Sequence, residues 1–144
     1  MAVFRAVQTT YKHKTIKKTM EKKIIASPAA PKAVGPYSQA VQTDNTLYAS
    51  GQLPIDASTG TMPASIEEQT AQSLKNLGAI LEEAGYTFDN VVKTTVLLAD
   101  IADFAAMNGV YATFFTGDKP ARMCYQVAAL PMGAKVEIDA IAVK

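Results

Sequence analysis

Arg122 is the only arginine beyond the first 23 residues of this 144-residue chain. It follows Lys119-Pro120-Ala121 and opens a strand-like run in which Cys124 and Gln126 share its alternation. A guanidinium at a strand start presents a rigid fork that can take a carboxylate through two hydrogen bonds. A surface or interface ion pair is the competing reading. Glu137 lies on the next candidate strand, beyond Pro131-Met132-Gly133-Ala134. If the two strands pair, an arginine and a carboxylate lie along one hairpin; otherwise Glu137 is an exposed strand charge. Gly35-Pro36-Tyr37-Ser38-Gln39-Ala40 fixes a turn that offers Tyr37 and Ser38 at a strand edge. There Tyr37 can cover a small substrate and donate a hydrogen bond, or pack its ring into the core. Ser50-Gly51-Gln52 ends a strand at a glycine, where a backbone can be approached closely. Cys124 is a candidate nucleophile, but only Arg122 is at hand to lower its pKa, and a buried structural thiol is the plainer reading.

Much other chemistry is excluded by residue type. The single histidine, His13, lies near the N-terminus, far in sequence from the single cysteine. Zinc sites draw on three or four histidine, cysteine or carboxylate ligands, so no metal is expected. Without a histidine in the body, neither a Ser-His-Asp nor a Cys-His arrangement can be built. No glycine-rich dinucleotide or phosphate-loop motif is present, and no cofactor is expected. What remains is chemistry by arginine, carboxylate, tyrosine, backbone groups and water.

Charge is distributed unevenly. Residues 1–23 carry seven basic side chains against Glu21 alone, a net +6, whereas the remainder carries seven basic against twelve acidic, a net −5. An acidic body is a poor platform for phosphate backbones, so any nucleic-acid role is confined to the tail and is not favoured. The basic, acid-free stretch 1–20 reads three ways: an organelle import signal, sequence upstream of a start at Met20, or a disordered tail. We expect a flexible extension over 1–21, one domain over 22–144, and a cytoplasmic protein by default. One cysteine rules out an internal disulfide. No apolar run approaches the roughly 18–20 residues of a membrane-spanning helix.

The elements that must position these residues are legible in outline. Strands are predicted at 23–26, 40–43 and 46–51, the last two joined by the tight-turn dipeptide Asp44-Asn45. Ser65 and Glu68 form a capping box ahead of Ile66, Thr70, Leu74, Leu77, Leu81 and Ala84 at helical spacing, with Gly85 as the stop. Val91–Leu98 is β-branched and strand-like. Residues 100–115 read as a second helix, with Phe104, Met107, Tyr111, Phe114 and Phe115 on its apolar side and Gly117 closing it. Strands follow at 121–130 and 135–143. Two amphipathic helices and about six strands predict a two-layer α+β domain with both helices on one sheet face. In the last strand Ile141 and Val143 make the second face partly apolar, so burial in an oligomer is expected.

Several segments together resemble the reactive intermediate deaminase (RidA/YjgF) family. They are Gly35–Ala40, Ser50-Gly51-Gln52-Leu53-Pro54, Val92–Val96, Met107-Asn108-Gly109-Val110-Tyr111, Pro120-Ala121-Arg122 and Val136–Ala142. Their order and spacing are those of the family over roughly residues 22–144. The resemblance implies a chorismate-mutase-like fold, a six-stranded mixed sheet with two helices on one face, assembled as a homotrimer with active sites between subunits. It implies cofactor-free hydrolysis of 2-imino or enamine acids to 2-keto acids and ammonia. Arg122 then binds the substrate carboxylate, Tyr37 lines the cleft, Ser50 and Gly51 border it, Cys124 contributes backbone contacts, Asn108 lies near the subunit contacts, and Glu137 positions or activates the water. Met123, Gln126 and Ala129 depart from the commonest family pattern, which bears on packing, subunit contacts and the preferred imine. A non-catalytic pocket for a 2-keto or amino acid is the competing class.

Overall fold

The computed structural model describes residues 20–144. Apart from Met20 and Glu21, the basic extension expected over 1–21, its import and start-site readings, and His13 lie outside the described residues. Six strands, β1 (Lys22–Ile25), β2 (Ala40–Thr43), β3 (Thr46–Gln52), β4 (Val91–Leu98), β5 (Ala121–Gln126) and β6 (Val136–Val143), form one mixed sheet in the order β1-β2-β3-β6-β4-β5. Helices α1 (Ile66–Glu83) and α2 (Phe104–Phe114) join β3 to β4 and β4 to β5.

Those two connections explain the layering. β3 and β4 both run antiparallel to β6, and β4 runs parallel to β5, so each helix is a crossover between parallel strands. Both crossovers advance across the sheet in the same direction. With the usual right-handed sense they deposit both helices on the same face. Under them lie Leu47, Val96, Leu98, Val136, Ile138, Ala140 and Ala142, all buried, against Leu74, Leu77, Ile80 and Leu81 of α1 and Met107 and Tyr111 of α2.

The ends of the elements follow local chemistry. Asp44 adopts a φ of +50° in the β2–β3 turn. Ser65 Oγ accepts from the Glu68 amide and the Glu68 side chain returns to the Ser65 amide, completing the capping box. Gly85, at φ +76°, lets the Tyr86 amide reach the Leu81 carbonyl and so closes α1.

Three expectations need correction. The second helix is shorter than 100–115: Asp100 caps a 3-10 turn at Ile101–Asp103, and the α-helix proper ends at Phe114. Lys119 Nζ donates to the oxygens of Phe115, the C-cap, and of Gly117 just beyond it. β5 ends at Gln126 instead of running to Leu130, because β4, its one strand partner, ends at Leu98 opposite Gln126; there the Gln126 side chain accepts from the Ile101 amide, 2.9 Å away. Most consequential, β5 and β6 do not pair. β4 lies between them, and residues 127–135 wrap its carboxyl end, with the Val127 amide bonded to Leu98 O and the Ala99 amide to Lys135 O.

The face away from the helices is open. Ile24, Val41, Tyr48 and Ile141 align across four strands, with Tyr48 and Ile24 each half exposed. Met123 and Tyr125 of β5 are also about half exposed, on the same face as Glu137 and Asp139. Among the described residues, no helix is long and apolar enough to cross a membrane.

Candidate active site

Glu137 alternates with Val136 and Ile138, both fully buried beneath the helices, so its carboxylate emerges on the opposite, open face. There it lies against Gly51. The β3–β6 register shifts between Ala49 and Gln52, and this bulge brings the Gly51 backbone close. A β-carbon at position 51 would sit 2.9 Å from Cδ of Glu137 and closer still to Oε1, so any side chain there would force the carboxylate out of this position. Burial, and next the charge of Asp139, raise the Glu137 pKa above the usual glutamate range. Asp139 is held in turn by the Thr95 amide, which donates to its Oδ1 at 2.7 Å.

Beside Glu137 opens a cavity of about 360 Å³ whose walls include Tyr37, Ser50, Gly51, Leu53 and Ile55. Tyr37 is half exposed, which disposes of the core-packing alternative for its ring. Its amide donates to Gly35 O at 2.9 Å within the turn, and its hydroxyl accepts from the Val34 amide at 3.4 Å. The Ser50 hydroxyl is committed to structure, since Oγ donates to Ser38 O at 2.6 Å and ties β3 to the Tyr37 turn.

Two further side chains, not singled out in the sequence, fasten this wall. Gln39 is buried, accepting from the Ser27 amide at 2.6 Å and donating to Pro31 O at 2.8 Å, so it pins the segment before Tyr37 to β2. Asn76, on the buried side of α1, donates to Leu53 O at 3.0 Å and Ile55 O at 2.9 Å. A signal existed for Asn76: a polar residue at the helical spacing of Leu77, Ile80 and Leu81 has to find partners inside.

Arg122 belongs to the other face. Its register partner on β4 is Thr94, which is fully buried under α2, and the guanidinium turns the same way. Nη1 donates to Asn108 Oδ1 at 2.7 Å, and the guanidinium carbon lies 4.8 Å from the Tyr111 ring centroid and 5.5 Å from that of Phe104. Asn108, Tyr111, Ala112, Lys119, Pro120 and Arg122 border an open recess of about 470 Å³. Cys124 follows on the same face, half buried against the core. Burial raises its thiol pKa and outweighs the opposing pull of Arg122, so it is poorly placed to act as a thiolate.

The residues singled out in the sequence thus fall into two groups within one chain. Tyr37, Ser50, Gly51 and Glu137 share a cavity, whereas Arg122, Asn108 and Cys124 lie across the sheet from it. The imagined β5–β6 hairpin does not unite Arg122 with Glu137. Among the described residues, no three histidine, cysteine or acidic side chains converge as metal ligands.

A two-layer domain with a carboxylate cavity on one face and a caged arginine on the other defines a recognisable class. Residues 27–144 match the family model described as Endoribonuclease L-PSP, and the chain belongs to this family, RidA/YjgF. It is 57% identical over 124 residues to a mouse protein named 2-iminobutanoate/2-iminopropanoate deaminase, covering 85% of this chain and 92% of that one. The crystal structure of the Escherichia coli YjgF gene product superposes with a TM-score of 0.83 at 46% identity, covering 85% of this chain and 98% of that one. The structure of Escherichia coli TdcF with bound serine matches with a TM-score of 0.83 at 43% identity, over 85% and 98% of the two chains.

Proposed function

We propose that this chain hydrolyses small reactive 2-imino acids and their enamine tautomers, such as 2-iminobutanoate and 2-iminopropanoate, to 2-keto acids and ammonia, without a cofactor. The observation that carries the reading is Arg122: an ordered guanidinium, satisfied in part by a neutral amide and two aromatic faces, beside an open recess. Such a group is ready for an external carboxylate. The name of the mouse relative and the serine bound to the TdcF structure support a small amino-acid-like ligand.

The chemistry asks little of the protein. Arg122 binds the carboxylate and fixes the imine carbon before a water molecule. Glu137 takes a proton as the water oxygen bonds to that carbon, and the imine nitrogen gains one, giving a carbinolamine. The carbinol hydroxyl then passes its proton to Glu137 while the nitrogen takes up the proton Glu137 received from the water, and the C–N bond breaks to release ammonia and the keto acid. Imines hydrolyse unaided in water, so orientation and a placed charge suffice. The raised pKa of Glu137 suits a base working nearer neutrality than an ordinary carboxylate.

Because Arg122 and Glu137 emerge on opposite faces, one chain does not close a site around one imine. We take the site to form between copies, with Arg122, Asn108 and Cys124 from one and Tyr37, Ser50, Gly51 and Glu137 from the next. Three copies is the number the family resemblance implies, and the half-exposed Tyr48, Met123 and Tyr125 supply apolar surface for their contacts. Residues 22–144 are the catalytic domain in this reading.

The test is direct. A threonine dehydratase generates 2-iminobutanoate while semicarbazide traps it; the protein should suppress trapping and accelerate keto-acid release. If trapping is unchanged while calorimetry shows stable keto-acid binding, the chain is a binding module. Ribonuclease chemistry is not favoured for residues 20–144, which hold no histidine and nine basic against thirteen acidic side chains.

A further inference from the structure

Arg122 stands on an edge strand, where a long side chain ordinarily samples many rotamers. Here α2 removes that freedom. Phe104, Asn108 and Tyr111 are spaced by four and three residues, so they form one stripe along the helix. The stripe presents an aromatic face, an amide oxygen and a second aromatic face to a single guanidinium. Tyr111 is itself immobilised. Its hydroxyl pairs with Thr94 Oγ1 at 2.8 Å in the buried layer, and its ring lies 4.5 Å from that of Phe115. Thr94 is also the strand partner of Arg122. The loop is therefore closed: the pairing that places Arg122 also places the anchor of the ring beneath it.

We propose that Tyr111, anchored by Thr94, is a positioning residue that holds the Arg122 guanidinium flat and aimed, with Phe104 completing a preformed guanidinium cradle. It needs no contact with substrate. Burial keeps its phenol neutral through the physiological range, so it acts by its ring and its anchor and not as an acid. This rests on the reading of Arg122 as the carboxylate holder. An oriented fork strengthens both hydrogen bonds to the carboxylate together, so disorder should weaken substrate binding more than turnover.

The experiment has a kinetic and a spectroscopic arm. Tyr111→Leu should raise KM about tenfold, on the scale of a partly desolvated cation–π contact, with a smaller effect on kcat. Tyr111→Phe, which keeps the ring and loses only the Thr94 bond, should recover KM to within about threefold of wild type. Phe104→Ala, at a position 38% exposed and safe for folding, should raise KM by about threefold. Free guanidinium at millimolar concentration should restore activity to Arg122→Ala but not to Tyr111→Leu/Arg122→Ala. In wild type the Arg122 side-chain N–H resonance should be shifted upfield by the ring currents and narrow, and Tyr111→Leu should abolish that shift. Wild-type KM in Tyr111→Leu and Phe104→Ala, or guanidinium rescue of the double variant, overturns the proposal. If the wild type proves inactive on imines, the deaminase reading falls, and the resonance alone decides the cradle: present and lost in Tyr111→Leu it stands, absent in wild type it falls.

Discussion

At the scale of single residues, the proposed mechanism rests on two side chains, Arg122 on the carboxylate and Glu137 on the water, and their variants should fail differently. Arg122→Ala removes two charge-assisted hydrogen bonds to the substrate carboxylate, each about 1.5–3 kcal/mol, so kcat/KM should fall by roughly a hundredfold or more. Arg122→Lys keeps the charge without the fork and should recover only part of it. Wild-type kinetics in either variant would remove Arg122 from the site. For Glu137 the pKa sets the sign. Its carboxyl is raised by burial and by Asp139, so the fold prefers the protonated form. The stability it contributes is therefore present below the ordinary glutamate range and lost as pH rises through the raised pKa. Glu137→Gln should then melt above wild type near neutral pH, with the difference fading below about pH 4. The same variant should lose turnover on the order of a hundredfold, as expected for a missing general base. Thermal melts across pH, paired with single-turnover rates, read both; a lower midpoint at neutral pH contradicts the sign argued here.

At the scale of elements, the site depends on how strand ends and loops are fastened. At the bulge through Ser50-Gly51, backbone and carboxylate lie against one another. Gly51→Ala should displace Glu137 and depress kcat while α1 and the sheet stay folded, so circular dichroism should be unchanged as activity falls. Asn76 works at longer range, holding the loop that carries Leu53 and Ile55 onto α1. Asn76→Leu leaves two carbonyls without their donor and should cost about 1–3 kcal/mol in a denaturant titration. Hydrogen exchange should then show the added opening at residues 53–55. A uniform loss of protection across the sheet would mean that Asn76 supports the core as a whole and not that loop. The Gln126 side chain serves a comparable purpose at the other end, capping the turn before α2 and so helping to set the helix that cages Arg122.

At the scale of the whole molecule, Arg122 and Glu137 emerge on opposite faces of one sheet, and the proposed mechanism therefore requires assembly between copies. Mixing tests this without a structure of the assembly. Arg122→Ala and Glu137→Gln should each lose most of the activity, while each retains the half the other lacks. Co-refolded at equal amounts, they should recover about a quarter of wild-type activity, since random neighbours supply an intact arginine and an intact carboxylate to one site in four. No recovery, with mixed oligomers demonstrated by mass, would return both groups to a single chain.

Local pattern was enough for the elements. The capping box at Ser65, the spacing of the α1 leucines, the Asp44-Asn45 turn and the β-branched run of β4 each act through neighbours a few residues away, and the structure follows them closely. The candidate residues stood out for a similar reason: a lone arginine, a strand carboxylate and a body without histidine leave few reactions open. Strand order was not legible in this way. Residues 127–135 can close a hairpin or step over a strand, and here they step over β4, whose backbone pairs with β5 along one edge and β6 along the other. That insertion separates Arg122 from Glu137, while alternation sends their side chains to opposite faces. Which residues can reach one another is a long-range property of packing. Tertiary structure alone assigned the arginine to an aromatic cradle under α2 and the carboxylate to the open face of the sheet.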